Sequence, residues 1–309
     1  PLVIGGGALA YGIPVNSEPK PEVTEGEATL PQENISCKTV LEKFYGGETA
    51  ITDVAAVLQT DMPIIPICYR TGILFCNENI ENIKKVVRNT KLKHIAVIMD
   101  GNRRWADKKN LPSSVGHKKG VDSLRTITKA CKNLGIKYLT VYAFSTENWK
   151  RPDDEVDALM KLLSEYLDDY KRLIGDEDIR VKIIGSYDKL SEEIIAKIKR
   201  IEEQTKDNSA ITLNIALNYG GRDEIVNAAK SIASKISSGE MVANEITEET
   251  ISNHLYTNYM PDPDFIIRPS GEYRLSNFLL WQSAYSEFWY SNILWPDFTR
   301  NDLIKAIVD

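Results

Sequence analysis

Short continuous apolar runs alternate with longer stretches of helical period over the C-terminal two-thirds of the chain. The runs Ile95–Met99, Tyr138–Phe144, Ile179–Ile184, Thr212–Leu217 and Phe265–Arg268 predict buried strands, with a sixth at Phe288–Ser291. Between them, Val121, Leu124, Ile127, Cys131 and Leu134 recur at helical spacing and stop before Gly135, a natural C-terminal cap. Val156, Leu159, Met160, Leu163, Leu167 and Tyr170 mark one face of a helix that starts after Pro152. Further helices are predicted at Ser191–Thr205, Arg222–Ser238 and Thr247–Leu255. Strand–helix repetition of this kind predicts an α/β fold over residues 86–309, a mostly parallel central sheet flanked by helices.

Upstream the pattern changes. Residues 1–36 hold three consecutive glycines and a Pro/Glu-rich stretch, which predicts a linker or disordered arm. The apolar start, Leu2 to Val15, lacks a basic leading region and reads as a flexible arm in preference to a secretory remnant. Residues 37–85 read as a small extension, with short helices at Thr39–Tyr45 and Ile51–Gln59 and an apolar run at Met62–Tyr69. Met62–Gly72 followed by Ile73–Phe75 resembles the C-terminal stretch of periplasmic peptide-binding proteins. A fragment without ligand-binding lobes implies no binding activity of its own.

A chain of 309 residues with 42% hydrophobic content can bury a large core, and its net charge of −6 gives no reason to expect nucleic acid. The four cysteines (Cys37, Cys68, Cys76, Cys131) form no CxxC pair, which predicts reduced thiols and a cytoplasmic protein. His94, His117 and His254 are too dispersed to suggest a zinc site, and no apolar run reaches transmembrane length.

Local Arg clusters therefore need a local explanation. The predicted strands end in polar segments: Asp100 to Trp105, Ser145 to Arg151, Asn218 to Arg222, and Arg268 to Ser276. In a parallel sheet these ends converge on one rim, where ligands bind. That rim would gather Arg104, Arg151, Arg222, Arg268 and Arg274 with the acids Asp100, Glu147 and Glu287. Many guanidinium groups beside few carboxylates suit a ligand with more than one phosphate, held with a divalent cation. Blander roles compete at several positions. Asp100 could cap the next helix, and His117 could be a structural hydrogen-bonder. Asn218–Arg222 reads first as a strand–helix turn with Arg222 paired to an acid. Glu147 and Glu155 could orient loop Arg residues, and Glu287 could serve a metal or an Arg.

Together these segments resemble the cis-prenyltransferases, the family of undecaprenyl diphosphate synthase. The resemblance rests on His94–Trp105, Gly116–Gly120, Tyr142–Pro152, Leu213–Arg222, Ile267–Asn277, Phe278–Glu287 and Leu294–Asp297, and covers the chain from about Lys91 onward. It implies a Mg²⁺-dependent enzyme that condenses isopentenyl diphosphate with an allylic diphosphate, such as farnesyl diphosphate, into a long-chain polyprenyl diphosphate. By that resemblance Asp100 organises Mg²⁺, with Glu287 as a second metal-linked carboxylate. Gly101, Asn102, Arg103, Arg104, Trp105 and His117 would bind the allylic diphosphate, while Arg268, Arg274, Leu275 and Ser276 would bind isopentenyl diphosphate. Asn148 would assist proton removal. Ser145, Thr146, Glu147, Trp149 and Arg151 would lie on a closing loop, and Val156, Leu159, Met160 and Leu163 would wall an apolar tunnel. The family also implies a homodimer, no nucleic-acid partner, and membrane contact through the lipid product. Alternatives are a catalytically weak scaffold subunit of the same fold, or a solute-binding module fused at the N-terminus.

The chain departs from the family in three places. Ser113 stands where Arg is common, with Arg103 as a potential compensation; Pro269 stands where Thr is usual; and Asp309 comes before the basic tail of many members. Asp153, Asp154 and Asp157 spell the DDxxD motif of trans-prenyltransferases. Those enzymes are all-helical, and first-turn acids after Pro152 are explained by the helix dipole.

Overall fold

A computed structural model describes residues 67–69, 72–74, 87, 92–169 and 178–309. The arm at 1–36, the helices expected at 39–45 and 51–59, Tyr170, and Cys37 and Cys76 lie outside the described residues. Within the 62–75 segment, β1 (Ile67–Tyr69) and β2 (Gly72–Leu74) pair as an antiparallel hairpin.

The C-terminal part alternates as its apolar pattern requires. In order it forms β3 (His94–Ile98), α1 (Asn102–Lys108), α2 (Ser113–Leu134), β4 (Tyr138–Ser145), α3 (Asp153–Asp168), β5 (Ile179–Ile184), α4 (Glu192–Gln204) and β6 (Ile211–Tyr219). It continues with α5 (Gly221–Ser237), α6 (Glu248–Ser252), β7 (Phe265–Arg268), β8 (Glu287–Tyr290) and α7 (Arg300–Val308). The strands make one six-stranded sheet in the order β5-β6-β4-β3-β7-β8, with every pair parallel. Covered on both faces, the central strand β3 is buried at all five positions, which is why it reads as an unbroken apolar run.

The predicted helical faces are the buried ones. Along α2, Leu124, Ile127, Cys131 and Leu134 point into the core, and Gly135 ends the helix at φ 88, a left-handed value that favours glycine. On α3, Val156 and Leu167 are buried, whereas Leu159, Met160 and Leu163 are only partly covered. Asp153, Asp154 and Glu155 occupy its first turn, where the helix dipole favours acids. Burial pushes the free Cys131 thiol up to about 12. Helix α1 escaped the sequence pattern because seven residues rich in Arg, Asp and Lys show no apolar period. Its cap is Gly101 at φ 104, so Asp100 is not the capping residue.

The sheet order places a topological switch between β3 and β7. The chain leaves β3 toward β4 on one side and returns much later through β7 on the other. Loops following these two strands must diverge, and ligands bind in the crevice they leave.

The opposite end of the sheet is fastened by a buried chain of polar groups. Tyr259 donates to Asn214 Oδ1 (2.7 Å), Asn214 donates to Thr140 Oγ1 (3.1 Å), and Thr140 bonds His94 Nε2 (2.7 Å). His94 Nδ1 lies 2.7 Å from the Pro261 carbonyl, which can only accept, so Nδ1 carries the proton and Nε2 accepts from Thr140. Burial lowers the His94 pKa to about 4 from 6.5. Between those values the unfolded chain binds a proton that the folded chain does not, so stability falls as pH drops through that window. The loss is about 3 kcal/mol by pH 4. Urea midpoints measured from pH 7 to pH 4 should show it, and His94→Gln should flatten the slope.

Candidate active site

At the switch point one carboxylate bridges both halves of the sheet. Asp100, just past β3, accepts from Arg268 Nη2 (2.9 Å) at the end of β7 and from Arg104 Nη2 (3.1 Å) on α1. Arg104 also donates to Ser270 Oγ (2.7 Å) and to the Ser270 carbonyl (3.1 Å). The Arg268 side chain is 5% exposed and donates to Ser276 Oγ (2.7 Å) and to the Arg274 carbonyl. The loop that brings Ser276 back to Arg268 turns through left-handed values at Ser270 (φ 85), Gly271 (φ 75), Ser276 (φ 51) and Asn277 (φ 64). Non-glycine residues in that region are uncommon and gather at functional sites. Burial alone would raise the Asp100 pKa. Hydrogen bonds from Arg268 and Ser270, with the charges of Arg268 and Arg104, outweigh it and hold the carboxyl below its usual range.

Three buried polar atoms beside this bridge have no partner: Asn102 Oδ1, His117 Nε2 and Arg268 Nε. Asn102 Oδ1, an acceptor, packs against Gly120 of α2, where an added Cβ would lie 2.3 Å from it. Leaving the nitrogens of His117 and Arg268 unsatisfied costs roughly 1–3 kcal/mol each, and such atoms mark where a ligand completes the bonding. All three residues line a cavity of 620 Å³ with Asp100, Ser145, Glu147, Asn148, Arg151, Arg274 and Ser276. An adjoining space of 420 Å³ adds Gly101, Arg103 and Arg104. Burial, then the Arg151 charge, lowers the His117 pKa and keeps its imidazole neutral.

The segment after β4 forms one side. Ser145 starts a short 3-10 turn, Thr146–Lys150, in which Asn148 Oδ1 accepts from the Ser145 N–H (2.9 Å). That bond occupies the carboxamide oxygen, so Asn148 is placed to donate and orient. Glu155, only 12% exposed, takes Arg151 at 2.7 Å and Arg103 at 3.5 Å. Glu147 instead accepts from Asn277 (2.9 Å) and Thr146 (3.2 Å), so it fastens the turn to the β7 loop and orients no Arg.

Four expectations need correction. Glu287 starts β8 level with Phe265, which is level with Ile95. It therefore lies on the order of 16 Å of strand below Asp100, and the two carboxylates of one chain cannot share a cation. Trp105 turns away from the cavity, its indole donating to Asp297 Oδ1 (2.7 Å) with Lys109 over the ring. Leu275 packs against the core cluster of Ala96, Ile98 and Phe278. Arg222 is exposed and makes no side-chain ion pair among the described residues; its backbone N–H donates to Asn277 Oδ1 (2.9 Å). The sequence reading missed Asn277, Ser270 and Tyr142, whose hydroxyl donates to the Tyr219 and Ser276 carbonyls at 3.1 and 3.3 Å.

A family model described as "Putative undecaprenyl diphosphate synthase" matches residues 98–309, which span all of these site segments. The chain belongs to the cis-prenyltransferase family. An isoprenyl transferase of Clostridium perfringens is 53% identical over 233 residues, covering 75% of this chain and 92% of the relative. One from Streptococcus agalactiae serotype III is 52% identical over 220 residues, 70% of this chain and 88% of the relative. Among solved structures, lavandulyl diphosphate synthase from Lavandula x intermedia, in complex with dimethylallyl diphosphate, superposes with a TM-score of 0.67 at 38% identity. It covers 70% of this chain and 93% of its own. A probable undecaprenyl diphosphate synthase from Campylobacter jejuni gives a TM-score of 0.59 at 36% identity, with the same coverage of 70% and 93%. This cis-prenyltransferase is thus a prenyl-transferring enzyme, with the parallel sheet of its relatives. Among the described residues no helix is long and apolar enough to cross a membrane.

Among the described residues no group of three or more His, Cys, Asp or Glu gathers to cage a metal. Mg²⁺ usually keeps several waters and binds one or two carboxylates plus substrate phosphates. Asp100, with Glu272 paired to Arg104 and Arg274 nearby, fits that habit.

Proposed function

We propose that residues 86–309 form a catalytic domain that condenses isopentenyl diphosphate with an allylic diphosphate into a long-chain polyprenyl diphosphate. The observation that carries this reading is the Asp100–Arg268–Ser276 bridge beside the unpartnered ring nitrogen of His117 and Nε of Arg268. Asp100 would hold Mg²⁺ against the allylic diphosphate, where the cation offsets the charge of the leaving group. Asn102, Arg104 and His117, with the backbone at Gly101, bind that diphosphate, and Arg103 supplies the positive charge that Ser113 does not. Arg268, Arg274 and Ser276 hold the diphosphate of the second substrate, so two anions lie side by side across the switch point. That placement sets the alkene against the allylic carbon. Trp149 and Leu159 exclude water from the apolar side, while Asn148 steers the departing proton toward diphosphate oxygen. The neighbour solved in complex with dimethylallyl diphosphate supports an allylic diphosphate as one substrate.

Each added unit lengthens an apolar chain whose burial gains roughly 0.8 kcal/mol per CH₂. The partly covered Leu159, Met160 and Leu163 are the proposed wall for it. A homodimer is proposed through the edge strand β8, where Tyr273, Tyr285 and Phe288 stay exposed. We assign the enzyme to the cytoplasm, touching the membrane through its product.

Incubation with labelled isopentenyl diphosphate, farnesyl diphosphate and Mg²⁺, followed by product sizing, tests the reading. Label should pass into long, apolar-extractable chains. Folded protein that incorporates none would refute the condensation.

A further inference from the structure

The geometry assigns Asn218 to a positioning role: it is the catch that fixes the Trp149 turn against the cavity, an inference that deepens the condensation reading. Asn218 stands near the end of β6, is 3% exposed, and has a left-handed φ of 46 that Asn tolerates better than most residues. Its carboxamide is fully engaged. Oδ1 accepts from Trp149 Nε1 at 2.7 Å, while Nδ2 donates to the carbonyls of Ser186 (3.0 Å) and Asp188 (2.7 Å). An indole N–H can only donate and a carbonyl can only accept, so the amide has a single workable orientation.

The two sides of this catch differ in firmness. On the anchor side, Ser186 N–H also donates to the Asn218 carbonyl (3.2 Å). There Gly185, at φ 129, lies so close that an added Cβ would sit 2.0 Å from the Leu217 carbonyl oxygen. The ends of β5 and β6 are therefore stitched together. On the other side Asn218 reaches the turn through one indole, which stands edge-on to Phe144 at 5.0 Å. Asn148 and Arg151 flank Trp149 in sequence, and both line the cavity with Asp100. Releasing the indole removes the tie between this turn and the end of β6 and loosens the backbone that carries both side chains. Other polar ties hold the turn to its own flanks, through Ser145 N–H to Asn148 and Arg151 to Glu155, and to the β7 loop through Asn277 to Glu147 at the exposed rim, where water competes for the same groups.

Four variants test this: Asn218→Ala, Trp149→Phe, the double variant, and Asn218→Asp. The readouts are hydrogen exchange over residues 146–151, melting temperature, and kcat and KM for farnesyl diphosphate. Asn218→Ala and Trp149→Phe should each speed exchange over 146–151 and lower kcat/KM by about fivefold to tenfold, the worth of one buried hydrogen bond. The double variant should be no worse than the worse single, because both remove the same bond. Asn218→Asp keeps the acceptor for Trp149 and loses both donors, so it should melt earlier while 146–151 stays protected. Additive losses, or unchanged exchange in Trp149→Phe, would overturn the catch. Absence of turnover in the wild type would instead refute the condensation reading, and the exchange data would still decide the catch.

Discussion

Asp100→Ala is expected to reduce isopentenyl incorporation by roughly 10²–10³-fold or more, the scale of losing a preorganised charge partner at a reacting centre. The variant should remain folded. Arg268 keeps its bonds to Ser276 and to the Arg274 carbonyl, and Arg104 keeps those to Ser270 and its pairing with Glu272, but the buried Arg268 loses its counter-charge. A stability loss of about 3–5 kcal/mol is anticipated from a buried pair broken on one side. Circular dichroism and a urea titration alongside the incorporation assay separate the two effects. Because its neighbours hold the Asp100 carboxyl below the ordinary carboxylate range, its contribution is present at neutral pH and is lost only as pH falls through that depressed value. Turnover close to wild type would remove Asp100 from the account.

Gly116→Ala should be among the most damaging single added methyls among the described residues. An added Cβ would lie 2.1 Å from the Asn102 carbonyl oxygen and 3.2 Å from Ala106 Cβ, so α1 and α2 would have to separate. Alanine improves helix propensity by about 1 kcal/mol over glycine. Overpacking against backbone costs about 1–3 kcal/mol or more and wins here. Asn102 follows Asp100 by two residues and His117 follows Gly116, so the same displacement spreads the proposed allylic diphosphate cradle. The expected result is a melting temperature lower by several degrees and a KM for farnesyl diphosphate raised about tenfold, since two ligand hydrogen bonds weaken. A neutral or stabilising Gly116→Ala would show that the helices are not in contact at this point.

Much of the fold was legible because a parallel sheet buried on both faces writes itself as short Ile/Val-rich runs. All five β3 positions are covered, and the expected strand bounds fall within two residues of the observed ones, with β5 and β7 identical. The rim was legible for the same reason: parallel strands oblige Asp100, Ser145, Asn218 and Arg268 to emerge at one edge. What the resemblance misplaced was Glu287: it gave a metal-linked carboxylate at the rim, yet the predicted strand Phe288–Ser291 begins just after it, and pairing puts it at the start of β8, level with Phe265. A sequence does not show which way a side chain turns. Trp105 follows the Arg pair directly, but its indole satisfies Asp297 instead of facing the cavity. Asn218 reads as part of a strand–helix turn, because a carboxamide with three partners from distant segments has no local signature.

The central claim is that Asp100 and the guanidinium groups around it grip a diphosphate together with a divalent cation. Calorimetric titration with farnesyl thiolodiphosphate, an analogue that resists ionisation, tests it with and without Mg²⁺ in the wild type and in Asp100→Asn. The account predicts that Mg²⁺ tightens binding by at least about tenfold in the wild type, one charge-assisted interaction's worth, and has little effect in the variant. Equal affinities with and without Mg²⁺ in the wild type, or the same Mg²⁺ effect in Asp100→Asn, would contradict it.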